Sequence, residues 1–216
     1  MKAVLALIRK DLVIEWRQRY AVNGILLHTV ASVFVVYLSV KVLNAPTWNA
    51  LFWLIMLFTS ISAVAKSFIA DSIGRSMYYF GIATAPQIII SKIIYNSLLM
   101  LVIAMVCFSI YAIVLGQPVS NFPLYLLAMF AGCIGFASTF TFISSIASKA
   151  GNSNVLMPVL SFPVILPLLL VLIKASKKAM DGIDNSLIFP DLIVLCLINL
   201  MVVALAYMLF PYLWKE

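Results

Sequence analysis

The sequence predicts an all-α, polytopic membrane protein: six transmembrane helices, an interfacial amphipathic helix before them, and a long cytoplasmic connection between the second and third. Three observations predict it. Of the 216 residues 65% are apolar and only 10% charged, against roughly 25% charged in an average soluble domain. A chain of this size cannot hide so much apolar surface from water. Charge-free runs cover 20–40, 42–65, 93–148, 150–173 and 192–214, each long enough for the roughly 20 apolar residues that cross a bilayer. The basic residues, finally, are unevenly distributed along the chain.

Residues 1–20 come first. Leu5, Ile8, Leu12 and Trp16 recur at helical spacing and form one stripe, with Arg9, Lys10 and Arg17 off it. A basic amphipathic helix beside a first span reads as lying in the interface, with Trp16 and Tyr20 near headgroup level; it serves as a topology anchor or has a functional role. The stretch is no cleavable signal peptide, because its apolar run, Ala3 to Ile8, is short and meets Arg9-Lys10-Asp11. Spans follow near 22–42 and 49–66. The 56-residue run 93–148 is too long for one span and right for two. It breaks at Gly116-Gln117-Pro118, with Asn121 and Pro123 just after, residues that punctuate helices. It therefore supplies spans near 90–115 and 123–148, and the last two lie near 154–174 and 190–213. Alternating ten-residue segments, the mark of a membrane barrel, are absent. The whole of 1–216 reads as one transmembrane domain.

With the N-terminus in the cytoplasm, ten of the fourteen Lys and Arg are cytoplasmic, and only Lys41, Lys174, Lys177 and Lys178 are external. Positive residues concentrate inside, so the net charge of +7 reports topology and no nucleic-acid partner is expected. Both termini fall in the cytoplasm. The external segment 174–190 carries three lysines against that rule, and is polar enough for a short surface helix.

The cytoplasmic stretch 67–89 exceeds the two to eight residues that a helix–helix link typically needs. It mixes charge and aromatics in Phe68, Asp71, Gly74, Arg75, Tyr78 and Tyr79. Aromatics and Arg are enriched at interfaces, so it reads as a docking surface for a soluble partner or as an interfacial helix anchored by its tyrosines. In the fifth span, Pro158, Pro163 and Pro167 fall within ten residues. Each removes a backbone donor. Lipid tolerates that only where neighbours or water satisfy the freed carbonyls, so the helix is a flexible or pathway-lining element, or it carries a packing kink.

Much chemistry is missing. The sequence has no G-x-x-x-x-G-K-[ST] phosphate loop, no paired carboxylates, no nucleophile triad and no His/Cys spacing for a metal. No catalytic residue is assigned, and the chain is not expected to be an enzyme. Cys107, Cys133 and Cys196 read as buried small residues. The lone histidine, His28, lies in the first span. It is a candidate haem contact, since haem iron accepts an axial His, or a partner for a neighbouring helix. Without membrane carboxylates, ion-coupled transport has nothing to run on, so the energy source belongs to another chain.

The layout of six spans, interfacial N-terminal helix and long first cytoplasmic connection resembles the membrane subunits of type-2 ABC exporters. Within them the chain is similar to the CcmB-type subunit of cytochrome c maturation, the haem exporter permease. The likeness runs along nearly the whole chain. It rests on Arg9-Lys10-Asp11-Leu12 with Glu15-Trp16-Arg17; on Phe68, Asp71, Gly74, Pro86 and Lys92; and on Leu156-Met157-Pro158-Val159-Leu160 with Pro163 and Pro167. The resemblance makes 67–89 the coupling loop, whose cytoplasmic coupling helix seats in a CcmA-type ATP-binding subunit. It also implies a CcmC-type haem-handling membrane partner, ATP bound on the partner, haem as the handled ligand, and the bacterial inner membrane as location. Family members often carry an acidic residue before the loop glycine and a Leu-Glu pair after it. Here Ile73 precedes Gly74, and Arg75-Ser76-Met77-Tyr78-Tyr79 follow, so aromatics are expected at the seat. Two other readings remain: a type-2 permease that exports a lipid, polysaccharide or drug, and a membrane scaffold without transport.

Overall fold

The computed structural model describes residues 2–17, 20–40, 43–69, 83–149 and 153–214. Seven helices account for nearly all of them: α1 (Lys2–Arg17), α2 (Tyr20–Ser39), α3 (Ala45–Ile69), α4 (Ala85–Leu115), α5 (Phe122–Lys149), α6 (Ser153–Met180) and α7 (Asn185–Trp214). Among the described residues there is no strand. Backbone amides without water must bond within their own segment, which is why apolar runs of this length take helical form in lipid.

Five helices carry a stretch long and apolar enough to cross a membrane: Ala45–Val64, Ala85–Leu115, Phe122–Ser148, Val159–Met180 and Asn185–Leu213. In α2 the apolar stretch Asn23–Ser39 has 17 residues, at the lower limit of a span. The 93–148 run divides as expected. Gly116, at φ 80°, ends α4, and a left-handed backbone there suits only a residue without Cβ.

Several boundaries differ from the sequence expectation: α3 runs from Ala45 to Ile69, so that Phe68 is helical within the stretch read as loop from 67, and two further differences have a local cause. At Ala85 the chain is already helical, within the stretch read as loop up to 89, and α4 runs 31 residues, about 46 Å at 1.5 Å per residue. The reason is local: the Gln87 side chain accepts the Thr84 N–H at 3.1 Å, and Pro86 falls in the first turn, where a missing donor costs nothing. In place of a separate external surface helix, α6 continues to Met180 and a tight turn through Gly182, at φ 66°, leads into α7. Lys177 and Lys178 thus occupy the last turn of α6, where cations oppose the negative end of the helix dipole.

The bundle is built around α5, which packs against α3, α4, α6 and α7. Two glycines permit the closest approach. A Cβ at Gly132 would meet the Leu172 methyls at 2.7 and 2.8 Å, and one at Gly135 would collide with Leu168 and with the Asn199 side chain. Helix association in lipid depends on such small-residue contacts, because lipid tails offer no hydrophobic drive. By contrast α2 is peripheral. It buries Ile25, Thr29 and Val33 and shares a 3.2 Å hydrogen bond between the Thr29 and Thr59 hydroxyls.

Candidate functional site

At one end of the bundle α1 lies against the first turns of α4. Leu7 joins one buried apolar cluster with Ile88, Ile89 and Ile93 of α4 and Ala206 and Phe210 of α7. The face that α1 turns inward also carries its carboxylates. Asp11 Oδ2 lies 3.3 Å from Lys92 Nζ, both side chains being 8% exposed, and Asp11 Oδ1 lies 2.8 Å from Lys10 Nζ. One turn further on, the Tyr95 hydroxyl donates to Glu15 Oε2 at 3.0 Å. Of the apolar stripe read from the sequence, Leu5 is 73% and Leu12 48% exposed, while Ile8 is half-buried. The stripe therefore faces outward, Arg9 and Arg17 are exposed as well, and the inward face combines Leu7 with Asp11 and Glu15, carboxylates that need protein partners away from water.

The opposite end is a packed aromatic and amide hub. Trp48 and Tyr111 rings meet at 4.7 Å, Phe52 and Trp53 at 5.2 Å, and Phe108 and Tyr125 at 5.7 Å. Ring pairs at such separations add about 0.5–1.5 kcal/mol each beyond packing area. Polar atoms inside it are paired across helices. Asn49 Nδ2 donates to Ser176 Oγ at 2.9 Å and to the Ile173 carbonyl at 3.2 Å, and Tyr125 donates to Asn49 Oδ1 at 3.3 Å. Trp53 Nε1 also donates to Ser176 Oγ, Trp48 Nε1 to the Gly116 carbonyl, and Tyr111 to the Trp48 carbonyl. The turn after α4 is clipped on as well, with Ser120 and Asn121 amides donating to the Met180 and Ala179 carbonyls.

Between the two ends, many hydroxyls bond to their own helix. Ser138, Thr141, Ser145 and Ser148 of α5 donate to carbonyls three or four residues back. Interhelical links there include Asn96 Nδ2 to Thr141 Oγ1 at 2.7 Å and Asn199 Nδ2 to the Ala131 carbonyl at 2.9 Å.

The residues singled out by sequence are distributed as follows. Phe68 lies in the last turn of α3, whereas Asp71, Gly74, Arg75, Tyr78 and Tyr79 lie outside the described residues. Pro158, Pro163 and Pro167 all lie in α6, the last two on its exposed side. His28 is exposed on α2. Cys107 and Cys133 are buried as expected, but Cys196 is exposed on α7, because its side of that helix faces away from the bundle. Among the described residues no three His, Cys, Asp or Glu gather closely enough to hold a metal ion.

Sequence reasoning missed the Asn49–Ser176 hub and the burial of Lys92. A polar amide at the mouth of a charge-free run and two tryptophans five positions apart, Trp48 and Trp53, were the available signals. Nothing local indicates that Ser176 is their partner.

A helical bundle with an amphipathic helix docked through polar contacts at one end fits a membrane subunit, and the family comparison identifies which kind. The model of the CcmB protein family matches residues 2–212. The chain belongs to the CcmB family. Membership makes this CcmB-family chain a multi-pass membrane subunit of the haem exporter of cytochrome c maturation. No curated protein matches it.

Proposed function

We propose that this chain couples ATP hydrolysis on a separate, CcmA-type ATP-binding subunit to haem delivery for c-type cytochromes, beside a CcmC-type haem-handling membrane protein. It does so in the bacterial inner membrane, with both termini in the cytoplasm. One observation carries the reading. The connection 70–84 leaves the bundle at the end where α1 is docked on α4, which is also the end to which the positive-inside rule assigns ten of the fourteen basic residues. A soluble partner seated there would push directly on the base of α4. The absence of a phosphate loop from the sequence makes a second chain the place for ATP, and Phe68, Asp71, Gly74, Arg75, Tyr78 and Tyr79 are the residues assigned to its seat.

The other end supports a conformational role better than a conduit. Its aromatics are tightly packed, with Trp48, Phe52, Trp53, Tyr111 and Tyr125 fully buried. Affinity purification of the full chain with mass spectrometry of what accompanies it tests the assignment. An ATP-binding subunit is expected in the wild-type complex and is lost, together with c-type cytochromes, when Tyr78 and Tyr79 are both changed to Ala. Retention of the subunit and normal cytochrome levels in that variant would remove the docking surface. Impermeant thiol labelling that reached single cysteines placed in 70–82 from the periplasmic side would remove the whole arrangement.

A further inference from the structure

An interfacial helix needs only its apolar side to stay at a membrane surface. In α1 the sequence does more. Its two carboxylates, Asp11 and Glu15, are one turn apart on the side facing the protein, where they meet Lys92 and Tyr95 of α4. The two contacts form a short seam along both helices, set beside the apolar cluster of Leu7, Ile88, Ile89 and Ile93.

A buried ion pair is a poor way to gain stability, since apolar residues of equal volume do as well. What it adds is geometry. Only one sliding position of α1 along α4 brings Asp11 to Lys92 and Glu15 to Tyr95 together, so the seam fixes register. Register matters here because of what each helix is tied to. Lys92 lies two turns beyond Ala85, where α4 emerges from the 70–84 connection. From α1 the chain passes through residues 18 and 19 into α2 at Tyr20. The helix pair therefore bridges the connection to the first span, and α2 meets the rest of the bundle through few buried residues, Ile25, Thr29 and Val33.

We propose that Asp11 and Lys92, backed by Glu15 and Tyr95, form a latch that carries displacement of the 70–84 connection through the base of α4 into α1 and α2. Asp11 and Lys92 are positioning residues: they act by making two helices move as one. The inference rests on the proposed docking of the ATP-binding subunit at that connection.

The test uses the full complex purified from cells making c-type cytochromes. It compares the wild type with Asp11→Asn, Lys92→Met and the charge-exchanged double variant Asp11→Lys with Lys92→Asp. Chain abundance, retained ATP-binding subunit, ATP hydrolysis and covalently matured cytochrome are measured together, because a purely structural role lowers all four in step. The single variants are expected to keep subunit and hydrolysis while cytochrome formed per ATP hydrolysed falls about tenfold, within the usual range of a coupling free energy. The exchanged pair restores most of the ratio, since a pair interaction survives reversal. An unchanged ratio in the singles, or an exchanged pair that accumulates and remains as low as they are, overturns the latch. Where a charge variant does not accumulate, Tyr95→Phe decides. It deletes one hydroxyl, and a lowered ratio supports the latch whereas an unchanged one overturns it. Failure of the docking reading has a different signature: the wild-type chain itself brings down no ATP-binding subunit.

Discussion

Replacing Asn49 with Leu tests whether the aromatic hub is held by its amide or by shape alone. Leu keeps the branched skeleton and heavy-atom count of Asn but carries two bulkier methyls, so the change opens no space among Trp48, Phe52 and Tyr125 and adds some crowding to the loss. It removes the two bonds from Asn49 Nδ2 to Ser176 and Ile173 and the one accepted from Tyr125. Interhelical hydrogen bonds in membrane proteins average about 0.6 kcal/mol and reach about 1.7 kcal/mol, so three of them amount to about 2 kcal/mol. The stranded Tyr125 hydroxyl, in a fully buried residue, pushes the loss toward the upper side. For a chain of this size each kcal/mol moves the midpoint by about 2–4 °C, giving a fall of about 4–8 °C. Thermal unfolding of the purified protein in lipid nanodiscs, followed by size-exclusion chromatography, measures it. Ser176→Ala removes the bond from Asn49 and also the one from Trp53, so the two variants share a contact. Combined, they must destabilise by less than the sum of the singles. A midpoint unchanged by Asn49→Leu, or strict additivity with Ser176→Ala, would refute the claim that the amide and hydroxyl tie α3 to α6.

Gly135→Leu should prevent accumulation of folded protein, because even a Cβ there collides with Leu168 and Asn199, whereas Gly24→Leu, with open space around it, should fold normally; fluorescence-detected chromatography separates the two. Asp191 lies 3.3 Å from Lys174 Nζ and 2.5 Å from Lys178 Nζ. Asp191→Asn should cost about 1 kcal/mol, the scale of a partly exposed pair, read as a lower unfolding midpoint and as faster hydrogen exchange in the α6–α7 turn. His28→Leu should leave the midpoint unchanged, given the exposure of His28 on α2, and a lost haem absorbance in the same variant would mark it as a ligand. Pro163→Ala and Pro167→Ala lie on the outer side of α6 and are expected to keep both fold and cytochrome formation; loss of cytochrome with the fold intact would assign that side of α6 to the transport path.

Legibility from sequence differs among the parts for physical reasons. The end of α4 could be read at Gly116 because a left-handed backbone is a local demand with a local answer. Its start could not, since Pro86 marks a loop or a first helical turn equally well, and the Thr84–Gln87 cap decides. The lysines at 174, 177 and 178 were expected on an external segment of their own. They ride instead on the end of α6, with Asp191, thirteen residues beyond Lys178, answering two of them. The stripe on α1 was visible as a period, but a period does not say which side faces protein when both sides hold apolar residues.

By itself, then, the sequence determined that the chain lives in lipid, that it is helical with its apolar runs as the membrane-crossing cores, and which family's pattern it carries, because solvation of charge and of peptide groups acts residue by residue along the chain. Tertiary structure alone decided that Asp11 meets Lys92, that Asn49 meets Ser176, and that Gly132 and Gly135 receive Leu172 and Leu168. Such partners are separated by tens of residues, and in lipid only the fit of one helix against another selects them.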